Sequence, residues 1–318
     1  MATPEKMKAR YKEFYTKLKK VSPNVTDQTL YVYLRNVSRL NQLVHDSDTI
    51  PATGSWLSQK KLYDAFDKLD LSKRRLLSVA AVKASKAYGL KDDKEWQKRL
   101  ADASDAYDKH RTKRRITTKE KGKWPESLDA LHKAAKLQKP LSRRSLKKSE
   151  KKLKDLLSIQ RWVILILYAN HPLRLDFADV FLKKPEKDTQ QNYLYRDRRK
   201  GWTLVLRKYK TAKYRGEAII KMKRQVSLAL TKFVPIVEKL TEHGKLLTNS
   251  KGGALTRNGL SKLLTKLTQY HLGKKGFSAS LIRVLSATKH KDVLEKASEI
   301  TKGMQHNLKQ SLRYSRKE

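Results

Sequence analysis

A third of this 318-residue chain is charged, yet the eight residues from Trp162 to Ala169 (WVILILYA) carry no charge at all. This is the longest apolar run in the sequence. Crossing a bilayer takes about 20 apolar residues, so the run is far too short to span one. It is expected instead as a helix buried in a folded core, in a segment reading as helical from Leu146 to Ala169. The break Asn170–His171–Pro172 ends that segment, because proline disfavours helical backbone in the residue before it.

Outside this run the sequence is dominated by positive charge. Lysine and arginine number 74 against 31 aspartates and glutamates, a formal charge of +43. A compact chain with that imbalance repels itself, which implies a polyanionic partner. Nucleic acid fits best, since lysines and arginines that replace counterions along the phosphates gain their release entropy. The basic residues are spread along the chain instead of being gathered beside an apolar anchor, which argues against a membrane partner. Absence of cysteine excludes disulfides, iron–sulfur clusters and thiolate zinc. The eight histidines include no pair at helical metal-ligand spacing. The amino terminus is charged and has no apolar signal region. These features describe an intracellular, soluble protein associated with DNA or RNA and lacking a small-molecule substrate. Runs such as Lys109 to Arg115 resemble nuclear-localisation signals, so a host nucleus or a viral replication site is the expected compartment.

Periodicity divides the chain. Residues 1–25 read as a basic N-terminal arm. Residues 26–110 read as a helical bundle, opening with Thr26 or Asp27 as a cap and Leu30, Leu34, Val37 and Val44 on one face. A second helix is expected near Leu57 to Phe66, after the Pro51–Gly54 break. A third runs from Ser72 to Gly89 with Leu76, Ala80, Ala84 and Tyr88 on its stripe. A fourth carries Trp96, Leu100, Ala103 and Tyr107. Residues 111–123 (RTKRRITTKEKGK) hold Ile116 as their one large apolar residue and read as a basic linker. Residues 124–318 form the last domain. It begins with helices over Pro125–Ala135 and Leu146–Ala169.

A β-rich patch follows, in which Trp202, Leu204 and Leu206 alternate with Thr203, Val205 and Arg207. Ala218, Ile219 and Ile220 come after the turn YKTAKYRG, where Gly216 suits positive φ. The remainder is helical: Val226–Leu240, Arg257–His271, Ala279–Lys289, Asp292–Thr301 and a short helix containing Tyr314. The fold class is therefore mainly α with a small β-sheet or hairpin.

Five residues of the last domain stand out as a set. Arg174 follows the HPL break in HPLRLDFADV, free to project from the start of a new element. Lys210 lies at a strand end in RKYKTAKYRGE, with Lys213 in the same turn. Arg283 sits in a helix (SASLIRVLSAT) opened by Ser278 or Ser280. His306 follows Gly303, and Tyr314 comes eight residues later. Singly these are commonplace: a solvated arginine, a structural histidine, a packing tyrosine. In this order they resemble the tyrosine recombinases, the phage-type integrases. The wording PLRLDFADV, KYKT-x-K-x-x-GE and MQH-N is similar to members from large DNA viruses of eukaryotes, virophages and related transposons.

The resemblance implies an N-terminal core-binding bundle followed by an α+β catalytic domain. It implies DNA recombination or integration without metal or cofactor, double-stranded DNA as partner, and a homo-tetramer on paired sites. Tyr314 would be the nucleophile, with Arg174, Arg283, His306 and Lys210 completing the site and Lys213 as the alternative lysine. Two features depart from the family pattern. Ser280 stands where the family has a histidine, and Tyr314 lies one residue closer to His306 than in many bacterial members.

The chemistry explains the residue types. Attack on a phosphodiester builds charge on the non-bridging oxygens, and two guanidinium groups offer planar paired donors to it. A phenol forms a 3′-phosphotyrosine that conserves the bond energy. The departing 5′-oxygen needs a proton, which a lysine can supply. Three alternatives stand beside this reading. The first is an architectural DNA-binding protein with a decayed site. The second is a relaxing enzyme of the type IB topoisomerase kind. The third is a metal-dependent nuclease on Asp176 and Asp179, two carboxylates that more simply pair with Arg174 or cap a helix.

Overall fold

Short polar residues set where two of the N-terminal helices begin. The computed structural model describes residues 4–90, 93–113, 115–197, 201–273 and 275–303, and the chain divides into two units between Arg115 and Ile116. In the first unit the helices are α1 (Pro4–Arg10), α2 (Lys12–Lys20), α3 (Asp27–His45), α4 (Lys60–Asp67), α5 (Leu71–Ala87) and α6 (Lys94–Thr112), with a 3-10 turn at Ser55–Ser58. The Thr26 hydroxyl accepts the Thr29 N–H at 3.3 Å, and the Asp70 carboxylate accepts the Lys73 N–H at 2.9 Å. Each satisfies one of the N–H groups that a helix start leaves open. Leu30, Leu34, Val37 and Val44 are all buried on α3, as their spacing predicts.

Two expectations for this unit need correction. Residues 4–25 are not a separate arm, because Met7, Tyr11, Phe14, Tyr15 and Leu18 enter the same core as α3 and α5. Their spacing is helical, but the lysines between them mask the stripe. Tyr11 donates to the Asp48 carbonyl at 2.7 Å, and Arg10 pairs with the Asp48 carboxylate. On α5, Leu76 is 55% exposed and Leu77 is buried in its place. Apart from Val82, the rest of the buried face of α5 is made of small residues (Ser78, Ala80, Ala81, Ala84 and Ser85), which lets α3 and α6 approach closely. Trp96 locks α6 down. Its indole N–H donates to the Leu57 carbonyl at 2.9 Å, and its ring meets Phe66 edge-on.

The second unit contains α7 (Thr118–Lys121), α8 (Ala130–Lys147), α9 (Leu153–Asn170), a 3-10 turn at Asp176–Asp179, β1 (Val180–Phe181), β2 (Asn192–Asp197), β3 (Gly201–Leu206), α10 (Ala212–Arg215), β4 (Ala218–Lys221), α11 (Arg224–Leu240), α12 (Arg257–Leu272), α13 (Ala279–Lys289) and α14 (Lys291–Gly303). The stretch 111–123 is therefore partly helical: α6 runs into it, and a Thr117/Glu120 capping box starts α7. The apolar run lies in α9, buried from Trp162 to Tyr168 against α8, α11 and α12. No helix among the described residues is long and apolar enough to cross a membrane.

The break before α9 falls later than expected. α8 runs on through Pro140 to Lys147. Both Pro140 and Lys136 are exposed, so the carbonyl that loses its partner to proline faces water. The chain turns instead at Lys148–Lys152. There the buried Asp155 carboxylate accepts from Lys148 Nζ at 2.6 Å and from the Lys152 N–H at 3.1 Å. Deeper in the unit, the Gln160 amide pairs with the Thr248 backbone in both directions, at 2.8 and 2.7 Å.

The four strands lie in the order β1-β2-β3-β4. β1 is parallel to β2 and the other neighbours are antiparallel. Thr203 and Val205 are buried like Trp202, Leu204 and Leu206, so β3 lacks the alternation expected of a half-exposed strand. Its central place between β2 and β4, with Tyr193 as the cross-strand partner of Val205, accounts for this. Trp202 donates to the Thr231 hydroxyl at 3.0 Å and pins the sheet to α11.

The hydrogen bond from Lys148, followed by that from the Lys152 N–H, holds the Asp155 carboxyl down at about 2. A lowered carboxyl pKa contributes stability that is present above the unfolded value near 4 and lost as pH falls through the folded value. Asp155→Asn is expected to cost about 1–3 kcal/mol in urea denaturation at pH 7. The difference from the native chain should shrink as pH falls from about 4 towards 2. A difference constant over that range would contradict the assignment.

Candidate functional site

The segment bearing Arg174 is held from three sides. α9 stops at Asn170, and the buried His171 that follows accepts the Lys223 N–H on its Nε2 at 3.3 Å. Burial, followed by the charge of Lys223, pushes the His171 pKa down and keeps the ring neutral, as this bond requires. Tyr168 donates its hydroxyl to the Arg174 carbonyl at 2.8 Å, with its ring edge-on to Phe177. Burial raises the Tyr168 pKa, helped by the charge of Asp176. Beyond Arg174, Asp176 and Asp179 lie on the 3-10 turn.

Those two carboxylates do not pair with Arg174, as the sequence suggested. Arg257, the first residue of α12, donates to Asp176 at 2.9 Å and also to Asp179. The Asp176 side chain is 5% exposed. Burial disfavours the charge of Arg257, but the hydrogen bonds and charges of Asp179 and Asp176 outweigh it and raise its pKa. Residues 78 and 81 positions apart in sequence thus fasten the Arg174 segment to α12. Among the described residues, no group of three or more His, Asp or Glu is placed to hold a metal.

Lys210 lies not at the end of β3 but four residues past it, in the β3–β4 loop. It is exposed there, as is Lys213 in α10. The loop is braced at its neck. The side chain of Asn192, fully buried on β2, accepts the N–H groups of Arg207 and Lys208 and donates to the Lys208 carbonyl. Arg207 pairs with Glu217 across the neck, and Tyr209 donates to the Gly216 carbonyl at 2.8 Å. Gly216 has φ 68°, the positive value that the turn pattern called for. Both lysines therefore project from an ordered loop.

Arg283 sits in the second turn of α13. Ser278, and not Ser280, caps the helix, accepting the Leu281 N–H at 3.2 Å. The approach from α12 is tight, since a Cβ on Gly276 would lie 1.9 Å from the Thr265 carbonyl oxygen. Thr268 accepts the Phe277 N–H at 2.7 Å on the same stretch. Ser280 is exposed and makes no hydrogen bond among the described residues. His306 and Tyr314 lie outside the described residues.

No hydrogen bond or ion pair joins Arg174, Lys210, Lys213 and Arg283 to one another. What connects their elements is a pair of residues that the sequence reading missed. His171 ties the Arg174 segment to the chain leaving β4, and Arg257 ties it to α12, which continues into α13. The proline after His171 is the one local signal at this point, and by itself it implies only a helix stop.

Four arginines of the second unit are half-buried among the described residues: Arg174, Arg207, Arg257 and Arg283. Arg207 and Arg257 are held by carboxylates. The side chains of Arg174 and Arg283 have no acceptor among the described residues. A guanidinium with five donors, partly removed from water and unpaired, is suited to an anion supplied from outside.

Removing Arg257 should leave Asp176 as a buried, unpaired charge. Arg257→Ala is expected to lower stability by about 2–4 kcal/mol, below the cost of breaking a fully buried pair because Arg257 is partly exposed. In an Asp176→Asn background the same change should cost clearly less. Equal costs in the two backgrounds, measured by urea denaturation, would refute the pairing.

Comparison with protein families, with curated proteins and with solved structures gives no match for this chain.

Proposed function

We propose that the protein is a metal-independent DNA strand-exchange enzyme, a site-specific recombinase or integrase of the tyrosine type. One observation carries this reading. Among the described residues, the two half-buried arginines of the second unit without a carboxylate partner, Arg174 and Arg283, are the two that the family resemblance assigns to the phosphate. Supporting it are the braced loop that presents Lys210 and Lys213, and a net charge of +43 suited to duplex DNA.

In the proposed reaction the Tyr314 phenol releases its proton to solvent water as its oxygen attacks phosphorus and forms a 3′-phosphotyrosine. Arg174 and Arg283 bind the non-bridging oxygens as negative charge builds on them. The bond to the 5′-oxygen breaks, and Lys210, or Lys213 in its place, protonates that oxygen. His306 steadies the phosphate or orients the tyrosine. Attack by the 5′-hydroxyl of a second strand on the phosphotyrosine reverses the step and joins the strands. Two DNA sites on a homo-tetramer complete the exchange.

Asp176 and Asp179 are engaged by Arg257, which weighs against a nuclease using them as metal ligands. The test is a nicked suicide substrate that traps the covalent protein–DNA adduct. The adduct is expected to form in EDTA. Arg174→Ala or Arg283→Ala should slow it about 10²–10³-fold, while duplex affinity at fixed salt changes less than about tenfold. Tyr314→Phe should fold and bind DNA yet give no adduct. Adduct formation by the Phe variant, or a strict need for magnesium, would overturn the mechanism.

A further inference from the structure

We infer that the groove between α8 and α11 is a docking site for an acidic amphipathic helix on a partner protein. This inference does not depend on the strand-exchange reading. Two cavities of about 450 and 500 Å³ lie along these helices, and Lys232 lines both, so they form one groove. It follows α8 from His132 to Lys147, about 22 Å at 1.5 Å per residue. That length accepts about four turns of helix.

The groove has cationic walls and an apolar floor. Lys136, Lys139, Arg143 and Lys147 of α8 face Lys232 of α11, and no aspartate or glutamate lines either cavity. None of these five side chains makes an ion pair or hydrogen bond among the described residues. Nearby Lys148 and Lys289, by contrast, are paired with Asp155 and Asp129. The floor is formed by Trp162, Ile166, Leu146 and Ile236, and Leu228 on the rim is 59% exposed. On α11 the lining residues Gln225, Leu228, Lys232 and Ile236 recur every three or four positions, as one helical face does.

This combination selects the occupant. Hydrated phosphates gain nothing from an apolar floor, whereas a helix with an apolar stripe and acidic flanks meets both floor and walls. The C-terminal segments supply no such helix by charge, and in α6, where Glu95, Asp102, Asp105 and Asp108 stand, Trp96 and Leu100 already pack in the core of the first unit. Residues 304–318 hold four lysines or arginines and one glutamate. In α14, Lys291, Lys296 and Lys302 balance Asp292, Glu295 and Glu299. A second copy brings a further +43.

The test uses the full chain at about 0.15 M salt and a labelled synthetic peptide of about 15 residues. The peptide carries leucines at helical spacing on a glutamate-rich background. A second peptide of identical composition has the leucines dispersed, and a short duplex DNA serves as the third probe. In fluorescence anisotropy the patterned peptide is expected to bind at least about tenfold more tightly than the dispersed one. Leu228→Glu and Lys232→Glu, both at exposed positions, should each weaken it about tenfold or more while leaving duplex affinity within about twofold. Equal binding of the two peptides would reduce the effect to bulk charge and overturn the proposal. Loss of duplex affinity in both variants, without discrimination between the peptides, would assign the groove to DNA instead.

Discussion

The second unit is organised by the need to bury α9. From Trp162 to Tyr168 this helix has no exposed side, so it needs neighbours all round: α8, α11 and α12 supply them. Its two buried polar side chains, Asp155 and Gln160, do not interrupt the apolar surface idly. Asp155 gathers the turn that leads into the helix, and Gln160 captures the backbone of Thr248. Burying a polar group without partners is costly, and both have their bonds satisfied by segments that must be fixed for the unit to close. The residues after α9, including Arg174, inherit their position from where this helix is forced to end.

The first unit meets a different difficulty, a surplus of cations in a small bundle. Its tyrosines take part of the load. Arg99 lies over Tyr63 at 4.4 Å, Arg75 over Tyr107 at 4.9 Å and Lys8 over Tyr15 at 4.8 Å. Such contacts let long basic side chains cover apolar surface while their charged ends remain near water. That is how α1 and α2, rich in lysine, come to pack in the core.

What could be read in the sequence was local. Thr26 as a cap, the apolar face of α3, the limits of α13 and the positive φ at Gly216 each depend on residues within a turn or two of each other. The N-terminal stripe was equally local but hidden under charge, and the helix expected to stop at Ala135 runs on through an exposed Pro140 to Lys147. The pairing of Arg257 with Asp176 and Asp179, and the bond from the Lys223 N–H to His171, join residues more than fifty positions apart. Nothing in the spacing of either partner signals such a contact. β1 and β2 escaped notice for a related reason: a two-residue strand has no period, and β2 is buried mainly at one end. The family resemblance picked out Arg174 and Arg283; what the structure adds is that Arg207 and Arg257 are held by carboxylates, whereas Arg174 and Arg283 have none among the described residues.

The Gln160–Thr248 clip has a consequence for how the chain is made. Its partners are 88 residues apart, and α11 and α12, which cover the same helix, also lie downstream of it. At a synthesis rate of roughly 5–20 residues per second, the WVILILYA run leaves the ribosome about 4–18 s before the residues that enclose it. Until α11 emerges, the most apolar segment of the protein has only α8 among the helices that will enclose it. The dense positive charge that precedes the run, eight lysines and arginines against two acidic residues from Arg143 to Arg161, then acts as a gatekeeper, keeping nascent chains apart until the core can close.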